Sequence, residues 1–364
     1  MMSQGRDGRT TPVTDPAPGI GADVINLPVD HEWLALHDEE VLDPDLPIVD
    51  AHHHLWDRPG SRYMPPDLLA DIAGGHRVTA TVYVENHASY RSYGPVEFRP
   101  VGETEVMATI GRGWIDDAAE PRLNAALVGY ADLFLGTAVR DVLEAHVAAG
   151  RGRFRGIRQV TAWDEAHSIQ TPQYGPRRGL TAGMMNEPLF REGFACLAPM
   201  GLTFDAWLYH PQIDELTDLA RAYPEARIVL DHIGGPVQVG PYRRKGDAVF
   251  SEWAAAIDRL SACSNVSVKI GGMGMRVLGF AFRDRPRPPS STELAELWRP
   301  FVEHCIDRFG TRRCMFESNF PVDKAYFSYR VLWNAFKRLT ASASPQERQD
   351  LFSATAMRVY SLER

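Results

Sequence analysis

Short apolar runs rich in β-branched residues recur from Pro47 onward and predict buried strands. There are eight such runs: PIVDAHHH (47–54), ATVYVEN (80–86), AALVGYADL (125–133), FRGIRQV (154–160), LTFDAWLY (202–209), RIVLDHI (227–233), NVSVKIG (265–271) and RCMFESN (313–319). Between most of them, apolar residues three and four positions apart predict amphipathic helices, as in AVRDVLEAHVAAG and ELAELWRPFVEHCIDRFG. Eight strands alternating with helices favour an α/β fold closed into a (β/α)8 TIM barrel.

Long polar segments follow the second, fourth, sixth and seventh predicted strands. In a barrel of this kind all four lie at the carboxyl-end face, where active sites are built, and we expect them to cover a pocket. Residues 1–45 differ in texture: they are rich in proline and glycine and include one short amphipathic piece, DHEWLALHDEEVL. We therefore predict an N-terminal extension over 1–45, packed as an arm on a neighbour or on the barrel floor, and a barrel domain over 46–364.

Composition and charge exclude several partners. The net charge of -8 offers no positive field for nucleic acid or an anionic membrane surface. No stretch is apolar and long enough to span a membrane, and the N-terminus lacks the apolar core of a signal peptide. The four cysteines contain no CxxC pair, and a chain of 364 residues needs no disulfides for stability. We expect a cytoplasmic protein and leave self-association into a homo-oligomer open.

The strongest chemical signal is VDAHHHLWD, residues 49–57, at the end of the first predicted strand. Alternate side chains of a strand share a face, so we expect Asp50, His52 and His54 to point one way and His53 the other. Two neighbouring imidazoles in a barrel mouth suit a divalent cation or an anionic oxygen.

Two further strand ends carry reactive side chains. His232 follows an acid in IVLDHIGGP and precedes a Gly-Gly-Pro turn, although a buried histidine paired with a carboxylate is common without catalysis. In MFESNFPVDK, Glu317 and Asn319 share strand parity, with Glu317 one layer deeper, and Asp323 lies in the following loop.

Several of these motifs together resemble the amidohydrolase superfamily, specifically its second family of TIM-barrel metal-dependent hydrolases and lactonases. They are DAHHHLWD, GIRQ, FDAWLYHPQ, VLDHIGGP, VKIGG and FESNFPVD, in this order from Asp50 to Asp323. The resemblance implies that His52 and His54 bind a metal or polarise a substrate carbonyl, with His232 as the strand-six histidine. It also implies that Arg158 contacts a substrate carboxylate, which its planar fork can bind in bidentate fashion.

The chain departs from the family pattern at the eighth strand, where FGSDWP is replaced by FESNFP. Asn319 then stands at the position of the catalytic aspartate, and an amide is no general base near neutral pH. Three alternatives stay open: Glu317 supplies the missing carboxylate, Asp323 supplies it, or hydrolytic activity is lost or changed.

Other residues are weaker candidates. His210 is a candidate metal ligand because superfamily members use a strand-five histidine, yet it falls on the opposite parity to Asp205, Trp207 and Tyr209. For substrate binding, Glu85, Tyr209 and Lys269 join Arg158 as candidates; Lys269 points to the mouth if it shares the parity of Gly271.

These patterns lead to one main functional hypothesis and two alternatives. The main hypothesis is a hydrolase of a small anionic lactone, ester or amide, as the resemblance to lactonases implies, in sugar or aromatic catabolism. Such an enzyme would use one divalent metal, with zinc as the favoured ion, or would work without a metal. The alternatives are a metal-dependent decarboxylase of an aromatic or unsaturated acid, and a ligand-binding barrel without catalysis.

Overall fold

A computed structural model of the chain describes residues 27–112, 121–166 and 179–362. Most of the predicted extension (1–26) and part of the segment after the fourth strand (167–178) therefore lie outside the described residues. Eight parallel strands form one sheet in sequential order. The strands are β1 Ile48–His53, β2 Val78–Val84, β3 Arg122–Gly129, β4 Phe154–Arg158, β5 Thr203–Ala206, β6 Arg227–Leu230, β7 Val266–Ile270 and β8 Cys314–Phe316.

A helix follows each strand and packs outside the sheet. These helices are α1 Pro65–Ile72, α2 Val101–Arg112, α3 Val139–Ala149, α4 Pro188–Phe194, α5 Ile213–Ala222, α6 Gly246–Ser261, α7 Ser291–Phe309 and α8 Tyr329–Leu339. Their starts follow local chemistry: Ser290 and Glu293 form a reciprocal capping box at α7, and Ser328 caps α8. The predicted (β/α)8 barrel is confirmed.

The barrel closes where β1 meets the segment after β8. His54 N–H donates to the Phe320 carbonyl at 2.7 Å, and Asn319 N–H donates to the His52 carbonyl at 2.9 Å. The two ends of the barrel sequence thus meet beside the paired histidines.

Small and β-branched side chains fill the barrel interior on the side of β1, β2 and β3, including Val49, Ala51, Val82 and Val128. The chain's last described segment joins this cluster: after a short helix, Thr355–Val359, the ring of Tyr360 packs among these residues and is fully buried. The interior is therefore a packed core below the site.

The predicted amphipathic piece of the N-terminal extension contains a one-turn helix, His31–Leu34. The segment that follows it runs along α8, where Asn334 and Lys337 bind main-chain and side-chain groups of residues 39–43. Trp33 donates to the Arg285 carbonyl at 3.1 Å. The described part of the predicted arm therefore packs on this chain's own barrel helix.

The four cysteines are all buried free thiols. Within the described residues, no helix combines the length and the apolar character that crossing a membrane requires.

Candidate active site

His52 and His54 turn their Nε2 atoms toward each other at the carboxyl end of β1, 3.2 Å apart. Nδ1 of His54 donates to the Val84 carbonyl at 2.7 Å, so its Nε2 carries a lone pair. Two nitrogen ligands bound at about 2.0–2.1 Å to one tetrahedral zinc lie roughly 3.3 Å apart. The spacing of the pair therefore fits a divalent cation between the rings.

The other nitrogen of His52, Nδ1, has two neighbours of opposite kind. Lys269 Nζ lies 3.2 Å away and Glu317 Oε2 lies 3.0 Å away. If Nδ1 carries the proton, Nε2 is free to bind a cation, and the nearby Glu317 carboxylate favours that tautomer, an arrangement usual for metal-bound histidines. If Nε2 carries the proton, it donates to His54 and Nδ1 accepts from Lys269.

His232 forms a close pair with Glu317. Oε1 of Glu317 lies 2.6 Å from Nδ1 of His232 and also accepts the main-chain N–H of that residue at 3.2 Å. His232 has a φ of +53°, in the left-handed region that few non-glycine residues adopt. The carboxylate therefore fixes an imidazole that sits on an unusual backbone, a feature that clusters at functional sites.

Two glycines after β7 leave room for this pair. A Cβ at Gly271 would lie 2.3 Å from Cγ of Glu317, and a Cβ at Gly272, whose φ is +64°, would lie 2.5 Å from Nδ1 of His232. Both positions in VKIGG therefore require glycine, because the side chains of Glu317 and His232 occupy the space that a Cβ would need.

Lys269 is fully buried beneath His52. Its ammonium lies 2.6 Å from Oδ2 of Asp205 and 3.0 Å from Oδ1 of Asp231, besides its contact with His52. A lysine has three donors, and three protein groups lie within 3.2 Å of this ammonium. The predicted substrate-binding lysine is thus placed in the barrel interior among its own protein partners.

Arg158 and Glu85 form a second buried ion pair. Nε of Arg158 donates to Oε1 of Glu85 at 3.0 Å, and Nη2 donates to the Glu85 carbonyl oxygen. Nη1 lies 3.5 Å from Nε2 of His52. One edge of the guanidinium is therefore held by Glu85, and the remaining Nη1 faces the histidine pair.

The site has an accessible layer and a sealed layer. His54, His232 and Arg158 retain 4%, 2% and 7% exposure, whereas His52 and Glu317 retain none. Trp207, 6% exposed, stands edge-on to His232 with ring centroids 4.8 Å apart. The first three side chains can therefore contact a ligand in the mouth, whereas Glu317 lies behind His232.

Burial governs the ionisation of the site. Burial, reinforced by the positive charge of Lys269, lowers the pKa of His52 well below that of a free imidazole, and burial lowers the pKa of His232 to about 3. Burial raises the pKa of Glu317 well above the ordinary glutamate range, with Lys269 acting in the opposite direction. For Lys269 itself, burial lowers the pKa, but its carboxylate neighbours outweigh burial and leave it above the ordinary value.

The donor set fits a divalent cation by charge as well as by spacing. Two cationic side chains face four carboxyl groups in this cluster: Arg158 and Lys269 against Glu85, Asp205, Asp231 and Glu317. Within the described chain, both oxygens of Asp231 and Oε2 of Glu317 accept no well-directed hydrogen bond. Of the described residues, His52, Asp231 and His232 also offer ligand atoms that all lie within 4.8 Å of one another. The Nε2 atoms of His52 and His54 are the more closely spaced set, at 3.2 Å.

Asn319 and Asp323 form a separate pair. Nδ2 of Asn319 donates to Oδ1 of Asp323 at 3.0 Å, and the Gly274 N–H donates to Oδ2 of Asp323 at 2.9 Å. Burial raises the pKa of Asp323 to about 8. Of the three strand-eight candidates, the structure places Glu317 against His52 and His232, while the other two bind each other.

His210 contacts the segment that follows β6. Nδ1 of His210 accepts the Val237 N–H at 3.2 Å, and its ring packs against Tyr242. Tyr209 is buried with its ring 5.8 Å from that of Trp207.

The expectation that Asp50 shares a face with His52 is wrong. The carboxylate of Asp50 accepts from the Ser318 N–H at 2.8 Å and from the Tyr329 hydroxyl of α8 at 3.0 Å. The pairing of β1 with β2 is irregular between Asp50 and His53, so strict alternation breaks there. Asp50 therefore braces β1 against α8.

Sequence reasoning did not select Asp205, Asp231 or Tyr360, which lie within or directly below the site. A charged residue inside the buried runs LTFDAW and RIVLD was an available signal, because a buried charge requires a partner. Tyr360 gave no comparable signal.

A family model described as amidohydrolase matches residues 49–362. The chain belongs to the amidohydrolase family. Among the curated relatives of this amidohydrolase, an uncharacterized protein of Sinorhizobium fredii, y4mH, is 32% identical over 334 residues, 87% of this chain and 99% of the relative. An L-fucono-1,5-lactonase of Burkholderia ambifaria is 26% identical over 336 residues, 87% of this chain and 96% of the relative.

A solved structure supports the fold. The crystal structure of an amidohydrolase from Burkholderia multivorans, with bound zinc, superimposes with a TM-score of 0.65 at 24% identity and covers 87% of this chain and 99% of that one.

Proposed function

We propose that this amidohydrolase hydrolyses a small anionic lactone or related ester at the mouth of its barrel, with His232 and Glu317 as the proton-transfer pair. The carrying observation is the 2.6 Å contact of Glu317 with Nδ1 of His232, beside the His52 and His54 Nε2 atoms. The lactonase named among its relatives supports a lactone as the substrate class.

Each side chain has a distinct task in this reaction. Glu317 accepts the hydrogen bond from Nδ1–H of His232, which leaves Nε2 of that imidazole as the base that takes a proton from the attacking water. As the tetrahedral intermediate collapses, the ring C–O bond breaks and the leaving oxygen receives that proton from His232, which yields a hydroxy acid. Arg158 presents Nη1 toward the same space and stabilises a developing negative charge or an anionic substrate group.

His52 and His54 are the residues that would hold a metal, with Nε2 of each as ligand and Glu317 behind His52. A divalent cation bound there supplies Lewis-acid polarisation of the substrate carbonyl.

The test is an assay of purified protein, as isolated, after chelation and after zinc addition, against sugar 1,5-lactones, unsaturated carboxylated lactones and simple aryl esters. We expect acid release and a product heavier by one water. Glu317→Gln should lower kcat by roughly 10²–10⁴-fold, because His232 loses its carboxyl partner. Glu215→Gln is the matched control, because Glu215 is a half-buried carboxylate on α5 outside the site. Its kcat should stay within about twofold of the parent value.

Three outcomes contradict the proposal. Carbon dioxide release without water addition assigns a decarboxylase. Equal kcat for the Glu317→Gln variant and the parent removes the pair from catalysis. No turnover of any lactone or ester in all three metal states favours a ligand-binding barrel.

A further inference from the structure

A line of buried polar side chains continues from His52 down to the floor of the barrel. Lys269 lies 3.2 Å below Nδ1 of His52, and Oδ2 of Asp205 lies 2.6 Å from the Lys269 ammonium. The hydroxyl of Tyr360 donates to the same Oδ2 atom, also at 2.6 Å. All four side chains are fully buried. A contact made by the last described segment of the chain is therefore three steps from the histidine pair.

Tyr360 is fixed at its backbone and at its ring. Its N–H donates to the Ala356 carbonyl at 3.0 Å, and Arg155 Nε donates to its carbonyl at 2.7 Å. Its ring packs in the interior cluster of small strand residues, and the Lys269 ammonium lies 5.4 Å from the ring centroid. The hydroxyl thus has a defined position from which to hold Asp205.

Asp205 receives donors on both of its oxygens. Thr203 donates its hydroxyl to Oδ1 at 3.0 Å, and Tyr360 and Lys269 share Oδ2. A carboxylate in a dry interior moves when one of its donors is lost, because the remaining donors then set its orientation. Lys269 follows Asp205, since burial leaves the ammonium no water to replace that partner.

We propose that Tyr360 is a positioning residue for the active site, which through Asp205 and Lys269 holds the imidazole of His52 in one orientation. This role rests on the proposed function only for its effect on turnover. In this role the Tyr360 hydroxyl helps to set the orientation of the His52 ring from the opposite end of the barrel to the mouth. Interactions behind a metal-ligating histidine change metal affinity or activity by roughly 10–100-fold when they are lost.

The test compares Tyr360→Phe, which keeps the ring and removes the hydroxyl, with Tyr223→Phe. The Tyr223 hydroxyl also donates a hydrogen bond, to the Arg191 carbonyl at 3.2 Å, away from the site. Three quantities are measured: the 15N resonances of the His52 ring, assigned by their loss in His52→Gln; zinc affinity by chelator competition; and kcat and KM.

We expect Tyr360→Phe to shift or split the His52 resonances, to weaken zinc binding roughly tenfold and to lower kcat roughly tenfold with KM within about twofold. Tyr223→Phe should match the parent in all three. If Tyr360→Phe does not fold, Thr203→Val, which removes the other hydroxyl from Asp205, takes its place with the same expectations.

Unchanged His52 resonances overturn the proposal, whatever happens to the free energy of unfolding, because a packing residue would alter only stability. If no lactone or ester is turned over by the parent protein, the proposed function fails. The His52 spectrum still decides the role of Tyr360 in that case, since it needs neither substrate nor metal.

Discussion

At the scale of single residues, the eighth strand carries the main departure from the family pattern. On the resemblance described above, Asn319 stands at the position of the catalytic aspartate, and the carboxylate two positions earlier, Glu317, is buried behind His232. Asp323, the other candidate, has both oxygens occupied by Asn319 and Gly274. Its contribution is therefore best sought in stability.

Asp323→Asn should change how stability depends on pH. Burial raises the pKa of Asp323 to about 8 from 3.8, so the folded state holds a proton that the unfolded state has lost. The stability linked to this proton is fully present below pH 3.8 and is lost as the pH rises through about 8. Urea unfolding between about pH 7.5 and 8.5, where free histidine is mostly neutral, should show the parent losing stability and the variant losing less. Parallel curves for the two proteins would show that Asp323 is ionised throughout.

The sequence predicts which residues lie near the site better than it predicts where their side chains point. Strand parity linked Glu317 to Asn319, but β8 ends at Phe316 and Asn319 adopts a φ of +54°, so alternation does not apply there. Asp50 was misplaced for a similar reason, the irregular pairing of β1. Local pattern cannot report a departure from ideal backbone that contacts with other elements impose.

At the scale of elements, the N-terminal segment depends on α8 for its position. The Asn334 side chain accepts from the Leu42 N–H at 2.8 Å and donates to Glu39 and to the Glu40 carbonyl at 2.8 and 2.7 Å. One amide thus satisfies three groups of a segment that has little regular structure of its own.

Asn334→Ala should release this segment. Leaving buried polar groups without partners costs about 1–3 kcal/mol, so we expect a loss of that size in the free energy of unfolding. Limited proteolysis should show faster cleavage within residues 35–45. Arg338→Ala on the same helix is the control, because Arg338 is exposed and binds Ser291 instead of the segment. Equal cleavage rates in the two variants would refute the docking role.

At the scale of the whole molecule, the barrel was predictable because its signal repeats. Each of the eight apolar runs overlaps an observed strand, although β2 and β3 begin before their runs, and the helices fall between the strands. The line from Tyr360 to His52 was not predictable, since it joins residues that only barrel closure brings together.

The number of buried histidines predicts sensitivity to acid. Burial lowers the pKa of His53, His76, His146 and His210 to about 4, from 6.5. The stability linked to each is fully present above pH 6.5 and is lost as the pH falls toward about 4, because the unfolded chain takes up protons first. Urea unfolding at pH 7, 6, 5 and 4.5 should therefore show a steep loss in the free energy of unfolding as the pH falls.

His146→Gln should make this loss less steep, because the unfolding of the variant takes up as much as one proton fewer than that of the parent. His146 is bound to Thr104 and to the Tyr130 carbonyl, outside the site, so the variant tests the effect of burial alone. Identical slopes for the variant and the parent would mean that this histidine is already protonated in the folded state.

The position of Tyr360 also has a consequence for biosynthesis. The ribosome delivers His52 with the first strand and Tyr360 after all eight, so a nascent barrel carries its paired imidazoles long before their floor exists. A chain interrupted between β8 and Tyr360 can contain every residue of the mouth and still lack the phenol below Asp205. The order of synthesis thus defers the contact below Asp205 until after the eighth strand has been made.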